Sequence, residues 1–100
     1  MKPAEKCTSI DEIRAAIDMI DRQVIELLGK RFGYVKAVVG FKKPTEESII
    51  AQERFDSVIS SRRDMAAENG LDADLIERIY RELLGHFIGE ELKMIKNKTN

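Results

Sequence analysis

Hydrophobic residues recur along most of this chain at helical spacing. In the first stretch they fall at Ile13, Ile17, Ile20, Val24, Leu27 and Leu28, then at Val35, Val38 and Val39. Ser9 and Glu12 just ahead of them form a capping-box signature, hydroxyl and carboxylate each covering an orphan backbone donor. Gly29, Gly33 and Gly40 lower the helix propensity, but no proline breaks the stretch before Pro44. The pattern predicts one helix from about residue 10 to about residue 41. The polar run Lys42-Lys43-Pro44-Thr45-Glu46-Glu47 predicts a loop, and a mobile one. A second helix is expected from about Ser48 to Asn69, with Ile49, Ile50, Phe55, Val58, Ile59 and Met65 as its apolar positions. Asn69-Gly70 closes it, because Gly70 can take the left-handed conformation that ends a helix. Asp72 caps a third helix, and Leu71 can pack on Ile76 as a hydrophobic staple. Leu75, Ile76, Ile79, Leu83, Phe87, Ile88, Leu92 and Ile95 carry that helix nearly to the end of the chain. The expected fold class is all-α: one long helix and two shorter ones, in a single domain over residues 1–100.

The length of the first helix changes the picture. Roughly 32 residues at ~1.5 Å each span ~48 Å. A chain of this size folded on itself is only about 26 Å across. Two shorter helices cannot cover an apolar stripe that long, so a second chain is the expected cover, in an intertwined homodimer. The alternative is a kink at Gly29 or Gly33 and a monomeric four-helix bundle.

Composition narrows the function classes. The 17 basic and 18 acidic side chains give a net charge of −1, with no basic excess for nucleic acid or an anionic membrane. No apolar run approaches the ~20 residues of a membrane span. Met1 to Cys7 lacks the apolar core of a signal peptide. Cys7 is the only cysteine, so neither an internal disulfide nor a cysteine metal site is expected, and a reducing cytoplasm is the expected compartment.

The candidate chemistry lies in three cations. Arg31 and Lys42 are 11 residues apart, close to three full turns, and project from one face. Arg14 precedes Arg31 by 17 residues, ~25 Å along the axis. One small ligand cannot touch both arginines of the same straight helix. It can if two first helices run antiparallel and Arg14 of one chain approaches Arg31 of the other. Two guanidinium groups and an ammonium would then suit a small dianion. Against this, 17 basic residues on amphipathic helices give same-face pairs by chance, most of them solvated. Spacing alone leaves both readings open. His86 is the only histidine, which argues against a metal site. Cys7 has no base near it in sequence and is no nucleophile candidate. Gly85 and Gly89 permit close backbone approach, by a packed helix or by a ligand.

The order Arg14, Arg31, Lys42, followed by a loop and two more helices, resembles the all-helical chorismate mutases. Within them the chain is most similar to the isochorismate-pyruvate lyases of salicylate biosynthesis. The resemblance rests on Cys7-Thr8 through Ile13-Arg14-x-x-Ile17-Asp18-x-Ile20-Asp21, on Arg31-x-x-Tyr34-Val35-Lys36-Ala37, on Phe41-Lys42 and on Glu68-Asn69-Gly70-Leu71-Asp72-Ala73. It implies that Arg14 of one subunit, with Arg31 and Lys42 of the other, holds the two carboxylates of isochorismate or chorismate. Lys42 would lie near the ether oxygen whose bond breaks. Glu91 falls where the family usually has a glutamine that donates to that oxygen. A carboxylate must be protonated to donate, as in family mutases with glutamate at this place, so activity at lower pH is implied. Leu84 and Ile88 would form the apolar wall of the pocket. At the start of the second helix the mutases carry an acid and then an Arg-Glu pair. Here the matching substrate-facing positions are Ile49, Gln52 and Glu53. Arg54 comes one residue late, ~100° further round the helix. This pattern favours lyase over mutase. The chemistry implied is pericyclic, with no nucleophile, metal or cofactor. Two alternatives remain: a chorismate mutase, or a non-catalytic helical dimer that tolerates Arg31→Ala.

Overall fold

The computed structural model describes residues 2–99. A short 3-10 turn, Ala4–Lys6, precedes four α-helices: α1 (Ile10–Val39), α2 (Glu46–Ile50), α3 (Gln52–Glu68) and α4 (Ala73–Thr99). No strand occurs among the described residues. The all-α reading with three principal helices holds, with two corrections to its boundaries. First, α1 stops at Val39 and tightens into i→i+3 bonds, Phe41 N–H to Val38 O at 2.9 Å and Lys42 N–H to Val39 O at 3.3 Å. Second, the expected second helix comes in two pieces. Ala51 separates α2 from α3 with φ 44° and ψ 66°, in the left-handed region.

Burial explains the break. Ile49 is 1% exposed, and α3 buries Val58, Ile59 and Ala66. At ~100° per residue, an unbroken helix would point Ile49 roughly 120° away from the mean direction of those three. Interrupting the helix lets both sets reach the interior. Thr45 starts α2, its Oγ1 accepting from Ser48 N–H at 3.2 Å.

Residue contacts divide the chain into two units, one through Tyr34 and one from Val35 onward. In the first unit α1 continues as helix through Gly29 and Gly33. Ser9 Oγ accepts from Glu12 N–H at 3.1 Å, half of the expected capping box. The Glu12 carboxylate takes a different donor: it accepts from Thr8 N–H at 3.1 Å and Thr8 Oγ1 at 3.3 Å, and pairs with Lys2 Nζ at 3.3 Å. The Thr8 amide, followed by Lys2, holds this carboxyl below its ordinary range. Ile10, Ile13, Ile17, Ile20, Val24 and Leu27 are 42–61% exposed, and no described residue of this unit is fully buried. Their intervals alternate three and four, the heptad spacing of a seam that packs on another helix. Arg31 and Tyr34 continue the same register.

The second unit holds the core: Val39, Ile49, Val58, Ile59 and Ala66. Ile50 and Met65, expected inside, are exposed, and Ala66 takes the interior place. Gly70, at φ +70°, turns the chain. Leu71 N–H donates to Ala66 O at 2.8 Å and Gly70 N–H to Ala67 O at 3.3 Å, the bond pair of a Schellman ending. Asp72 caps α4 through Leu75 N–H at 3.0 Å. Arg63 fastens α3 to α4 by pairing with Asp74 and Glu77 at 2.9 and 2.7 Å. The Arg62 guanidinium lies over Tyr80, and that of Arg81 over Phe55. On α4, Leu75 and Ile79 are exposed, while Ile76, Leu83, Phe87, Ile88, Leu92 and Ile95 are half-buried.

Candidate active site

The closing turn of α1 ends at Lys42, whose side chain is 21% exposed. Its ammonium donates to Ile49 O at 3.2 Å and to Glu91 Oε2 at 3.2 Å. Glu91, on α4, is the buried polar or charged residue of the described chain, 5% exposed. An ionised carboxylate is stable at that depth only when paired, and Lys42 supplies the charge. The Ile49 carbonyl is available because α2 ends just beyond it. In a continuous helix that oxygen would accept from the N–H of Glu53. An ammonium has three N–H donors, and these two contacts use two of them. The third can meet an acceptor on a bound molecule. Leu84 and Ile88, both half-buried, precede Glu91 on α4 by seven and three residues, which places all three on one face.

This part-buried Lys–Glu pair sits within a stretch that matches chorismate mutase type II over residues 13–92. The chain belongs to the chorismate mutase type II family. It is 41% identical to the isochorismate pyruvate lyase of Pseudomonas aeruginosa over 93 residues, which cover 93% of this chain and 91% of that protein. It is also similar to two T-proteins. The identity is 34% over 76 residues for that of Haemophilus influenzae and 35% over 72 residues for that of Enterobacter agglomerans. The matches cover 76% and 72% of this chain but only 20% and 19% of the T-proteins, so that likeness concerns one segment of a longer protein.

In this chorismate mutase type II chain, the structure brings Lys42, Glu91 and the Ile49 backbone together. It does not bring Gln52 or Glu53 to them. Both are exposed, and Gln52 Nε2 donates to Asp56 Oδ1 at 2.9 Å. Among the described residues no hydrogen bond or ion pair links either one to Lys42 or Glu91. The break at Ala51 accounts for this: residues 49, 52 and 53 share a face only on one continuous helix. Arg14 is exposed and Arg31 half-buried, both on the part of α1 within the first unit and ~25 Å of helix apart. His86 is exposed, and Cys7 Sγ, half-buried, donates to Pro3 O at 3.6 Å. Among the described residues no three His, Cys, Asp or Glu side chains are grouped to hold a metal, and no helix is long and apolar enough to cross a membrane. Sequence reasoning missed the Ile49 carbonyl and Ala51. The mismatch in helical phase between Ile49 and Val58-Ile59 is the signal that reveals them.

Proposed function

We propose that this chain is an isochorismate pyruvate lyase, a single chorismate-mutase-type domain over residues 1–100 that works as a cytoplasmic homodimer. The observation that carries the reading is the hold on Lys42: two fixed acceptors and one ammonium N–H left over for substrate. The 41% identity to the Pseudomonas aeruginosa lyase over nearly the full length of both chains supports it. The apolar Ile49 and the displaced Gln52 and Glu53 favour lyase over mutase, since no acid is set where the ring hydroxyl of chorismate would be held.

In the reaction, isochorismate folds so that the hydrogen on its hydroxyl-bearing ring carbon moves to the enolpyruvyl methylene while the ether bond breaks. Salicylate and pyruvate leave. No covalent intermediate forms, so the protein contributes a held reactive conformer and stabilisation of charge on the ether oxygen. Arg14 of one subunit and Arg31 of the other take the two carboxylates, bidentate where geometry allows. The free N–H of Lys42 meets the ether oxygen. Glu91 fixes Lys42 when ionised and donates to that oxygen when protonated. Leu84 and Ile88 line the pocket and exclude water. The exposed heptad seam of α1 supports the dimer, because a second copy is the natural cover for it.

Incubation with isochorismate and, separately, with chorismate tests the reading. The expected result is salicylate fluorescence from the first and little prephenate from the second. Prephenate without salicylate would make the chain a mutase, the reading that the chorismate mutase type II match favours. Turnover of neither substrate would leave a helical interaction module.

A further inference from the structure

Ala51 is the non-glycine residue at positive φ among the described residues, at 44° with ψ 66°. Alanine is the strongest helix former and rarely adopts this conformation, where its Cβ crowds the backbone. Strained backbone of this kind persists only where the surroundings over-determine it. The surroundings here are specific. Ile49, two residues earlier, has the most deeply buried large side chain, and its carbonyl accepts from Lys42. Ala51 N–H closes α2 on Glu47 O at 2.9 Å, and Ala51 O opens α3 by accepting from Phe55 N–H at 3.0 Å. One residue thus ends one helix and starts the next, and between them the Ile49 oxygen loses its helical partner.

We propose that Ala51 is a positioning residue of the site: its left-handed backbone frees the Ile49 carbonyl to hold the Lys42 ammonium beside Glu91. The consequence for the reaction rests on the lyase reading, in which Lys42 meets the ether oxygen. Without the break, Ile49 O returns to a helical bond and Lys42 keeps Glu91 as its sole fixed acceptor. The ammonium is then free to swing. The same break removes residues 52 and 53 from the face of Ile49, so one backbone angle both aims the lysine and withdraws the polar groups of the next turn.

The test has a substrate-free arm and a kinetic arm. Ala51→Gly relieves the strain of the left-handed conformation, so its urea midpoint rises. In an ordinary helix the same change lowers the midpoint, and that result overturns the proposal. Ala51→Val and Lys42→Met, alone and together, measure coupling in the unliganded protein. The two midpoint shifts are expected to be non-additive, with Lys42→Met costing less in the Ala51→Val background; additive shifts overturn the proposal. In turnover, Ala51→Val should lower kcat by about tenfold or more with KM nearly unchanged, and add no loss to Lys42→Met. An unchanged kcat in an active parent enzyme overturns the positioning role. If the midpoints couple but the parent turns over neither isochorismate nor chorismate, the lyase reading fails and the positioning of Lys42 by Ala51 stands.

Discussion

Lys42 and Glu91 are 49 residues apart in the chain and 3.2 Å apart in space. Removing one member of such a pair leaves the other charge buried without compensation. Lys42→Ala should therefore cost stability as well as activity: about 2–3 kcal/mol by urea unfolding, given that the lysine is partly solvated. Turnover should fall ~10²–10³-fold, the usual cost of losing a donor to developing charge. A loss under about threefold would make Lys42 a loop cation with no chemical role. Glu91 separates the two functions of the pair. Its carboxyl oxygen accepts from Lys42 when ionised, but only the protonated acid donates to an ether oxygen. Glu91→Gln keeps an oxygen for Lys42 and adds a donor that no pH removes, so it should turn over faster than the parent at about pH 8. An unchanged rate at that pH would remove Glu91 from the reaction. The pairing of Lys42 with Glu91 was not identifiable from spacing. Same-face arithmetic linked Lys42 to Arg31, and only resemblance to the family singled out Glu91. The Ile49 oxygen was invisible because a backbone carbonyl has no sequence signature.

Helix ends were legible where their chemistry is local. Ser9, Gly70 and Asp72 each act within a few residues and do what their types imply. The division of the second helix was not legible, since alanine favours continuation and the break answers a tertiary demand, the burial of Ile49 together with Val58, Ile59 and Ala66. The start of α1 adds a pH-dependent clasp. The Thr8 amide and Lys2 hold Glu12 below its ordinary range, so the clasp is fully formed above the unfolded glutamate value of about 4.3. It is lost as the pH falls through the lower folded value. Amide exchange at Thr8, corrected for the intrinsic pH effect, should show protection falling once the pH drops below that ordinary glutamate value, while protection in α3 and α4 persists. Glu12→Gln should reproduce that local fraying at neutral pH. Equal protection of Thr8 in the variant would mean the 3-10 arm is held by other contacts.

For the whole molecule, the long first helix forced the question of a second chain from the sequence alone. The structure sharpens it, because the unit through Tyr34 buries none of its described residues fully while its heptad seam lies open. A charge in that seam, such as Ile20→Asp, should shift the protein toward smaller species in sedimentation, whereas a dimer held elsewhere would be indifferent. The shared pocket makes a sharper demand. Arg14 and Arg31 lie ~25 Å apart along one helix, so a single small dianion reaches both only if they come from different chains. Each of Arg14→Ala and Arg31→Ala should then be nearly inactive as a homodimer. Unfolded together at equal concentration and refolded, half of the dimers are mixed under random pairing. In a mixed dimer one pocket has both arginines and the other has neither. Activity should return to about a quarter of the wild-type value per chain, counted over all pockets. Mass spectrometry of the refolded sample fixes the mixed fraction independently. Mixed dimers present in that proportion with no return of activity would mean that each pocket draws its arginines from one chain.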